Sequence, residues 1–249
     1  MKVVSLSIKS TLEELYSLAR GARKLHIGLQ SFLKQHNIGI GRDRFIEVLR
    51  AHELLLKPLP QKPTTTHYKP YLPTFSNLIK DKSIERANEA WVSDITYLKT
   101  DEGYLYLSLI TDLGTRKILG YQCSDSLETQ GCIKALEQAL KTLGKTDQAP
   151  IHHSDRGSQY ASHAYVQKLK EHGLAISMTE ENHCYENAVA ERVNGILKQE
   201  YALGCQFATK SLAKKAVDQV ILIYNNYRLH KSLNYQTPNQ VYQKHLNAA

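Results

Sequence analysis

The sequence has few cysteines and no long apolar run. Its 4 cysteines include no CxxC pair, so the cysteine spacing does not favour a zinc site and fits free thiols in a cytoplasmic protein. The longest dense apolar stretch, VILIY, is far shorter than the roughly 18 residues that a membrane helix needs. The opening segment MKVVSLSIKS lacks the apolar centre of a signal peptide. We therefore expect a cytoplasmic chain without a membrane span.

Acidic residues are scarce in the first third of the chain. Residues 1–90 contain 15 Lys and Arg against 8 Asp and Glu, whereas residues 91–249 contain 17 against 16. The net charge of +8 therefore lies almost entirely in the first third. A basic arm on a near-neutral body favours a polyanion partner such as nucleic acid, although a merely solubilising surface would have the same composition.

Residues 1–56 have the pattern of a helical unit. Two segments, 25–36 and 42–55, carry apolar residues near helical spacing, and a glycine-containing break separates them. Arg42 and Arg44 begin the second segment. This order predicts a helix-turn-helix-like unit that contacts DNA through the two arginines, although any αα-hairpin would give a similar pattern.

A linker and a larger domain follow the helical unit. Residues 57–88 are assigned to the linker, because five prolines between positions 57 and 75 indicate extended chain. Residues 89–249 then give three strand-like segments in succession, followed by alternating strands and helices, in the order βββαβαβα. This order predicts an α/β fold with a mixed sheet. We expect a basic carboxy-terminal tail after the last helix of that order.

Two aspartates lie in or just after predicted strands. Asp94 lies inside the first strand, AWVSDITYL, and Asp155 follows the strand PIHH in the segment HHSDRGSQY. Ligand-binding groups in open α/β sheets gather at the carboxyl ends of strands. An acid in an apolar strand also needs a partner, and a metal ion would serve. For either aspartate taken alone, a place at a sheet edge or a hydrogen bond to a turn is the more common explanation.

A third acid lies on a predicted amphipathic helix over residues 186–201. One face of this helix carries polar residues at helical spacing: Asn187, Glu191, Asn194 and Lys198. Apolar residues occupy roughly the opposite face, so Glu191 and Lys198 would be presented together. An ordinary solvated polar face would produce the same pattern.

The three carboxylates together suggest metal-dependent phosphoryl transfer. Asp94, Asp155 and Glu191 could hold two Mg²⁺ ions by oxygen ligation, and Mn²⁺ could substitute. In two-metal sites the ions clamp the attacking and leaving oxygens. Lys198 would then contact the DNA phosphate next to the scissile bond.

Four segments of the chain resemble a known protein family. They are WVSDITYL, HSDRGSQYAS, SMTEENHCYENAVAERVNGILKQE and YNNYRLHKSLNYQTPNQVY, and 35 residues separate Asp155 from Glu191. This arrangement resembles the D,D(35)E catalytic core of retroviral-type integrases and bacterial insertion-sequence transposases. More narrowly, it is similar to the second-frame product, OrfB, of two-frame insertion sequences. The resemblance covers roughly residues 20–245.

The resemblance carries implications for fold, site and partners. It implies a ribonuclease H-like fold, with Asp94, Asp155 and Glu191 as metal ligands and Lys198 as the basic residue seven positions after the glutamate. It also implies double-stranded DNA as substrate, at the element ends and the target, together with a homo-oligomer, an upstream-frame OrfA partner and a place at the nucleoid. Glu186 departs from the aspartate that the family often has, and the usual YGYRRI-type segment is missing.

Other polar residues have two interpretations each. Arg228 and Lys231, in NNYRLHKSLNYQTP, would contact phosphates or belong to a solvated helix end and loop. His153 would orient DNA or a carboxylate, or pack at the strand end. Asp112 is better interpreted as the cap of a turn.

The sequence thus predicts the catalytic subunit of a DNA transposase. It would use water and then a 3′-hydroxyl to attack phosphodiesters in two Mg²⁺-dependent steps. Two alternatives remain at this point. One is a ribonuclease H-like nuclease that cuts without joining. The other is a DNA-binding regulator that is catalytically silent without the upstream-frame product.

Overall fold

Three short helices form the first part of the structure. The computed structural model describes residues 21–55, 72–144, 149–180 and 187–248. The first helices are α1 (Ala22–Gly28), α2 (Gln30–Gln35) and α3 (Arg42–Ala51). Their inward side chains form a small core: Leu25, Leu29, Leu33, Phe45 and Leu49. The single segment predicted over 25–36 is divided at Leu29, next to Gly28, because a glycine weakens a helix.

A mixed sheet follows, as the sequence predicts. Its strands are β1 (Ala90–Thr100), β2 (Gly103–Asp112), β3 (Ile118–Ser124), β4 (Ile151–Ser154), β5 (Ala175–Met178) and β6 (Gln206–Phe207). The strand order is β3-β2-β1-β4-β5. β1, β2 and β3 pair antiparallel, whereas β4 and β5 run parallel to β1. β6 pairs in parallel with the far end of β1.

Helices cover both faces of the sheet. They are α4 (Thr129–Leu140), α5 (His163–Glu171), α6 (Ala188–Glu200), α7 (Lys210–Asn226) and α8 (Pro238–Asn247), with a 3₁₀ turn at Lys231–Leu233. One core, around Leu107, Leu197 and Val217, packs α6 and α7 on the sheet. The other core, around Trp91 and Leu136, packs α4 and α5 on the opposite side. In the part of the chain that the structure describes, no helix is long and apolar enough to cross a membrane.

The segment expected to be a basic tail is largely helical. α7 buries Val217, Ile221 and Tyr224 on one face, so it belongs to the core. α8 begins at a capping box, in which Thr237 Oγ1 accepts a hydrogen bond from the backbone N–H of Gln240 and the Gln240 side chain accepts one from the backbone of Thr237. The predicted carboxy-terminal tail therefore consists largely of two packed helices, α7 and α8.

Residues 72–89 contain no helix or strand, but hydrogen bonds attach them to the larger domain. The Leu78 N–H donates to Ser177 Oγ at 2.8 Å, and the Ala87 N–H donates to His245 Nδ1 at 3.1 Å. The second half of the predicted linker is thus fastened to the sheet and to α8. Residues 56–71, which hold most of its prolines, lie outside the described residues.

Asp112 caps the turn between β2 and β3, as predicted. Its Oδ1 accepts hydrogen bonds from the backbone N–H and the hydroxyl of Thr115 at 2.7 and 2.6 Å. Its Oδ2 accepts from the Asn88 N–H at 2.7 Å. The carboxylate is fully buried, so these three donors stabilise a charge that would otherwise be costly there.

Candidate active site

The register of the sheet brings Asp94 and Asp155 together. The last paired residues of the parallel strands β1 and β4 are Ser93 and Ser154. Asp94 and Asp155 come directly after them, on strands whose backbones lie about 4.8 Å apart. On its other side Asp94 is paired with Leu109 of β2. The two acids therefore lie side by side at the carboxyl end of β4.

The Asp94 carboxylate accepts two hydrogen bonds, but its surroundings disfavour its ionised form. Its Oδ1 accepts from the Ile95 N–H at 2.8 Å, and its Oδ2 accepts from Asn194 Nδ2 at 2.7 Å. Burial, and then the charges of Asp155 and Glu191, raise the pKa of Asp94 to about 7. Burial is the largest cause of the shift, and the charges of Asp155 and Glu191 add to it because they lie within electrostatic range of Asp94.

Asp155 is positioned by the turn that follows β4. Its Oδ1 accepts from the Gly157 N–H at 3.0 Å. The intervening Arg156 points elsewhere, because its Nε donates to Thr179 O at 2.8 Å. A Cβ on Gly157 would lie 2.9 Å from Asp155 Oδ1, a distance that real Cβ atoms do not keep. Only glycine permits this close approach without a shift.

Replacing Gly157 with alanine is expected to displace the Asp155 carboxylate and lower catalytic activity about tenfold or more, because small misplacements of reacting groups are costly. The change in thermal stability should be small. Gly144→Ala is the matched control, since a Cβ there meets nothing within 4 Å. Equal metal-dependent activity of the two variants would contradict the positioning role of Gly157.

Helix α6 brings Glu191 to the aspartates. Asn187, just before the helix, donates from Nδ2 to Ser93 O at 3.0 Å, which ties the start of α6 to β1 next to Asp94. Seven positions later, Asn194 reaches Asp94 itself. Glu191 is exposed at the first turn, and partial burial raises the pKa of its carboxyl. The predicted polar face thus divides into two buried asparagines and an exposed glutamate.

Lys198 lies near the end of the same helix. It is half-buried, and its backbone carbonyl accepts a hydrogen bond from the Gly204 N–H at 3.1 Å. The structure places it two turns after Glu191 on α6, as the spacing predicts. Glu186, where the family often has an aspartate, lies outside the described residues.

The carboxylates suit a hard divalent cation, but they do not form a closed cage. Among the described ranges, no group of three His, Cys, Asp or Glu side chains is arranged to hold one ion. Asp94 and Asp155 nevertheless supply neighbouring oxygens, and Glu191 lies within electrostatic range of Asp94. Oxygen ligands of this kind are those that Mg²⁺ prefers. A cation between them would also offset the repulsion that raises the pKa of Asp94.

The two arginines predicted to contact DNA are exposed at the start of α3. Arg42 Nε lies 2.7 Å from Asp43 Oδ1, and Arg44 Nη1 lies 2.9 Å from Glu47 Oε2. Exposed ion pairs of this kind are weak, so exchanging them for DNA phosphates would cost little.

Arg228 has a structural role that the sequence analysis missed. It is only 3% exposed, and its Nε and Nη2 donate to the two oxygens of Glu200 at 2.9 and 2.7 Å. Lys24 Nζ lies 2.8 Å from the same carboxylate. The predicted phosphate contact is therefore replaced by a buried ion cluster that attaches α1 to the core. Lys231, three residues later, is exposed.

His153 packs at the strand end. It is fully buried, and its Nδ1 lies 2.8 Å from Ser177 Oγ. Its neighbour His152 is bonded through Nε2 to Ser93 Oγ at 2.6 Å and to the Tyr165 hydroxyl at 2.9 Å. Both histidines thus brace β4 against its neighbours, and the packing interpretation of His153 is the one that the structure favours.

Comparisons with known proteins agree with the fold. Two family models, both described as an integrase core domain, match residues 84–184 and 172–238. The chain is 34% identical over 212 residues to the 31 kDa protein of insertion element IS600 from Shigella sonnei, covering 84% of this chain and 78% of that protein. It is 37% identical over 177 residues to transposase InsF of IS3A from Escherichia coli K12, covering 70% of this chain and 61% of the transposase.

Other similar proteins extend the comparison. The transposase of IS629 from Shigella sonnei is 38% identical over 154 residues, which cover 62% of this chain and 51% of that protein. The chain thus spans between about half and three quarters of the curated relatives it matches. The integrase catalytic core of HTLV-2, solved with magnesium, has a TM-score of 0.50 at 20% identity and covers 63% of this chain and 97% of that core. A chain of the simian T-cell lymphotropic virus intasome has a TM-score of 0.54 at 18% identity, and the match covers 89% of this chain and 74% of that chain.

Proposed function

Because the chain belongs to the insertion-sequence transposases with a retroviral-integrase-like core, we propose that it cleaves DNA at the ends of an insertion sequence and joins those ends to a target. The observation that carries the proposal is the sheet register, which sets Asp94 and Asp155 next to each other and within range of Glu191. Such an acidic cluster is the arrangement that a metal-dependent phosphoryl transfer needs.

The residues of the site would have three roles: holding metal, positioning the aspartates and contacting DNA. Asp94, Asp155 and Glu191 would hold two Mg²⁺ ions, or Mn²⁺ in their place. When bound, these ions supply the charge that stabilises the attacking and leaving oxygens. Asn194 and the Gly157 N–H hold the two aspartates in place. Lys198 would contact the phosphate beside the scissile bond.

We further propose that DNA contacts extend to the helical unit. Arg42, Arg44 and Lys231 are exposed cations that would bind the backbone of the element end, and the basic first third of the chain supports this assignment. Pairing two DNA ends requires more than one catalytic subunit, so a homo-oligomer belongs to the proposal. An upstream-frame OrfA product and a place at the nucleoid remain parts of the same proposal.

The decisive experiment uses the purified chain, DNA carrying the element's own ends, and Mg²⁺ or Mn²⁺. Nicking and end joining are scored beside Glu191→Gln and a metal-free control. Metal-dependent joining that is lost in the variant would support the transposase. Cleavage without joining would favour a nuclease. DNA binding without any reaction would favour a regulator that is silent without its upstream-frame partner.

DNA binding is expected to weaken steeply as salt concentration rises. Each phosphate neutralised by Lys or Arg releases counterions, so the affinity should fall about 10³-fold or more between 50 and 200 mM salt if about six phosphates are contacted. A series of fluorescence anisotropy titrations measures the slope. The double variant Arg42→Ala, Arg44→Ala should lower that slope, and a salt-independent affinity would contradict phosphate binding.

A further inference from the structure

A cavity lies where the helical unit meets the core. Its volume is about 660 Å³, within the usual range for small-molecule sites. The start of α1, one face of α6, Tyr224 of α7 and the segment 228–235 line it. The α6 residues that face it include Ala188, Arg192 and Ile196, whereas Asn187 and Asn194 of the same region turn to β1. One helix therefore separates the cavity from the acidic cluster.

The cavity carries a marked excess of positive charge. Its cationic lining residues are Arg23, Lys24, Arg116, Arg192, Arg228 and Lys231. Its one acidic lining residue among those described is Glu200, and that carboxylate is already shared by Lys24 and Arg228. For the other four cations, no ion pair with a described carboxylate is found within 4 Å. Burial and the charge of Arg228 lower the pKa of Lys24 to about 8, as expected where cations outnumber anions.

A buried polar atom on the cavity wall lacks a partner. His230 is 6% exposed, lines the cavity, and its Nε2 has no hydrogen-bond partner among the described residues. Burial, and then the nearby Arg228 and Lys24, lower the pKa of His230 to about 2. The ring is thus neutral and can donate from Nε2 in one tautomer. Because an unsatisfied buried group is costly, a polar ligand within reach of Nε2 would be bound favourably.

The remaining wall is apolar and partly aromatic. It is formed by Ala22, Ile46, Val189, Val193, Ile196, Leu229, Tyr224 and Tyr235. Inorganic phosphate alone would leave this wall uncovered. A ligand that joins an anionic group to a planar apolar body would satisfy both the cations and the wall, and a nucleotide has that chemistry.

We propose that this cavity binds one nucleotide, with its phosphate against Arg192, Lys231 and His230 and its base against the apolar wall. The nucleotide could come from an unpaired end of a DNA strand or from solution. The first source rests on the proposed function, since helix α6, which lines the cavity, also carries Glu191. Three polar residues of the segment NNYRLHKSLNYQTP would then act at one site, because Arg228, His230 and Lys231 all line the cavity.

Binding of dAMP, deoxyadenosine and inorganic phosphate to the full chain tests the site by calorimetry. We expect dAMP to bind at least about tenfold more tightly than deoxyadenosine or inorganic phosphate alone. Deoxyadenosine lacks the charge-assisted hydrogen bond and phosphate lacks the base contacts, and each of these contributes about tenfold in affinity. Arg192→Glu and His230→Gln should each weaken dAMP binding about tenfold or more. Lys215→Glu makes the same charge change as Arg192→Glu at an exposed position of α7 and should leave binding unchanged.

Two labelled duplexes, one blunt and one with unpaired terminal nucleotides, distinguish the sources. Preferred binding of the unpaired duplex, with displacement by dAMP, assigns the site to DNA. Binding of dAMP without effect on either duplex assigns it to a free nucleotide. The proposal fails if dAMP binds no better than deoxyadenosine or inorganic phosphate, or if Arg192→Glu and Lys215→Glu behave alike. End joining by the wild-type chain in that case would leave the proposed function standing without the cavity.

Discussion

Replacing Asp94 with asparagine is expected to abolish end joining while making the metal-free protein more stable above neutral pH. Loss of a carboxylate that holds metal should lower joining at least about 10³-fold, since metal-ion catalysis contributes several kcal/mol to such reactions. The gain in stability arises because the same substitution removes an unfavourable charge from the metal-free protein. Asp94 is an acid that the folded protein disfavours in its charged form, because burial and the charge of Asp155 oppose ionisation.

The pH window of this stability effect follows from the pKa values. The pKa of Asp94 rises from an ordinary 3.8 to about 7 in the folded protein. Between these values the folded chain holds a proton that the unfolded chain has lost, so the free energy of unfolding falls as pH rises. The penalty is complete above pH 7 and absent below pH 3.8. Asp94→Asn removes it and should gain about 2–4 kcal/mol at a pH near 8.

Thermal unfolding with a chelator, at pH values near 5 and 8, measures this difference. Asp81→Asn is the matched control, because Asp81 is exposed and its substitution should change stability little at either pH. Added Mg²⁺ should raise the melting temperature of the wild type more than that of the variant, since ligands stabilise the state that binds them. A variant less stable than wild type at pH 8 would contradict the unfavourable ionisation of the buried Asp94.

Replacing Glu200 with leucine is expected to cost about 3–5 kcal/mol of unfolding free energy, since it leaves two buried cations without their anion. Arg228 and Lys24 have side chains only 4% and 14% exposed. Although burial opposes its ionisation, hydrogen bonding to Arg228 and the charges of Arg228 and Lys24 hold the pKa of Glu200 below its usual value. A decrease in melting temperature of about 10 °C corresponds to this loss.

The exposed pair Arg44–Glu47 provides the control for that experiment. Glu47→Ala should cost less than about 1 kcal/mol, as exposed pairs do. The triple variant Lys24→Met, Glu200→Leu, Arg228→Met should recover much of the loss, because it removes the unpaired charges together with the acid. If Glu200→Leu were as mild as Glu47→Ala, the ion cluster would not be the attachment that the distances indicate.

The core and its acids could be predicted because their signals are local. Strand-like segments with β-branched and aromatic residues predicted the order βββαβαβα along the chain, and the structure confirms it. The helical spacing of Glu191, Asn194 and Lys198 placed α6. Asp94 and Asp155 stood out because an acid at such positions needs a partner. The length of α7 and the capping box of α8, with Thr237 before Pro238, were also readable in the sequence but were assigned to a tail.

The remaining features depend on contacts between distant residues. Arg228 looked like an exposed DNA contact because nothing near it in sequence shows that Glu200 lies opposite. The bond from Asn187 to Ser93 O spans 94 residues, so local pattern could only place Asn187 on a helix face. The cavity combines residues from α1, α6 and the segment 228–235. Its excess of cations, and the His230 Nε2 that lacks a partner among the described residues, arise only when those three parts meet.

The pairing of β1 with β4 has a consequence for how samples of this protein behave. Asp94 and Asp155 are adjacent because Ser93 is paired with Ser154. If β4 were shifted by one residue along β1, its two faces would be exchanged. Ser154 or Arg156 would then lie where Asp155 now lies. Such a chain would be compact, would keep its helices and would be inert. Only four residue pairs hold this register, against ten for β1 with β2. Active-site titration therefore measures the proportion of correctly registered molecules in a preparation, a quantity that circular dichroism and gel filtration would both miss.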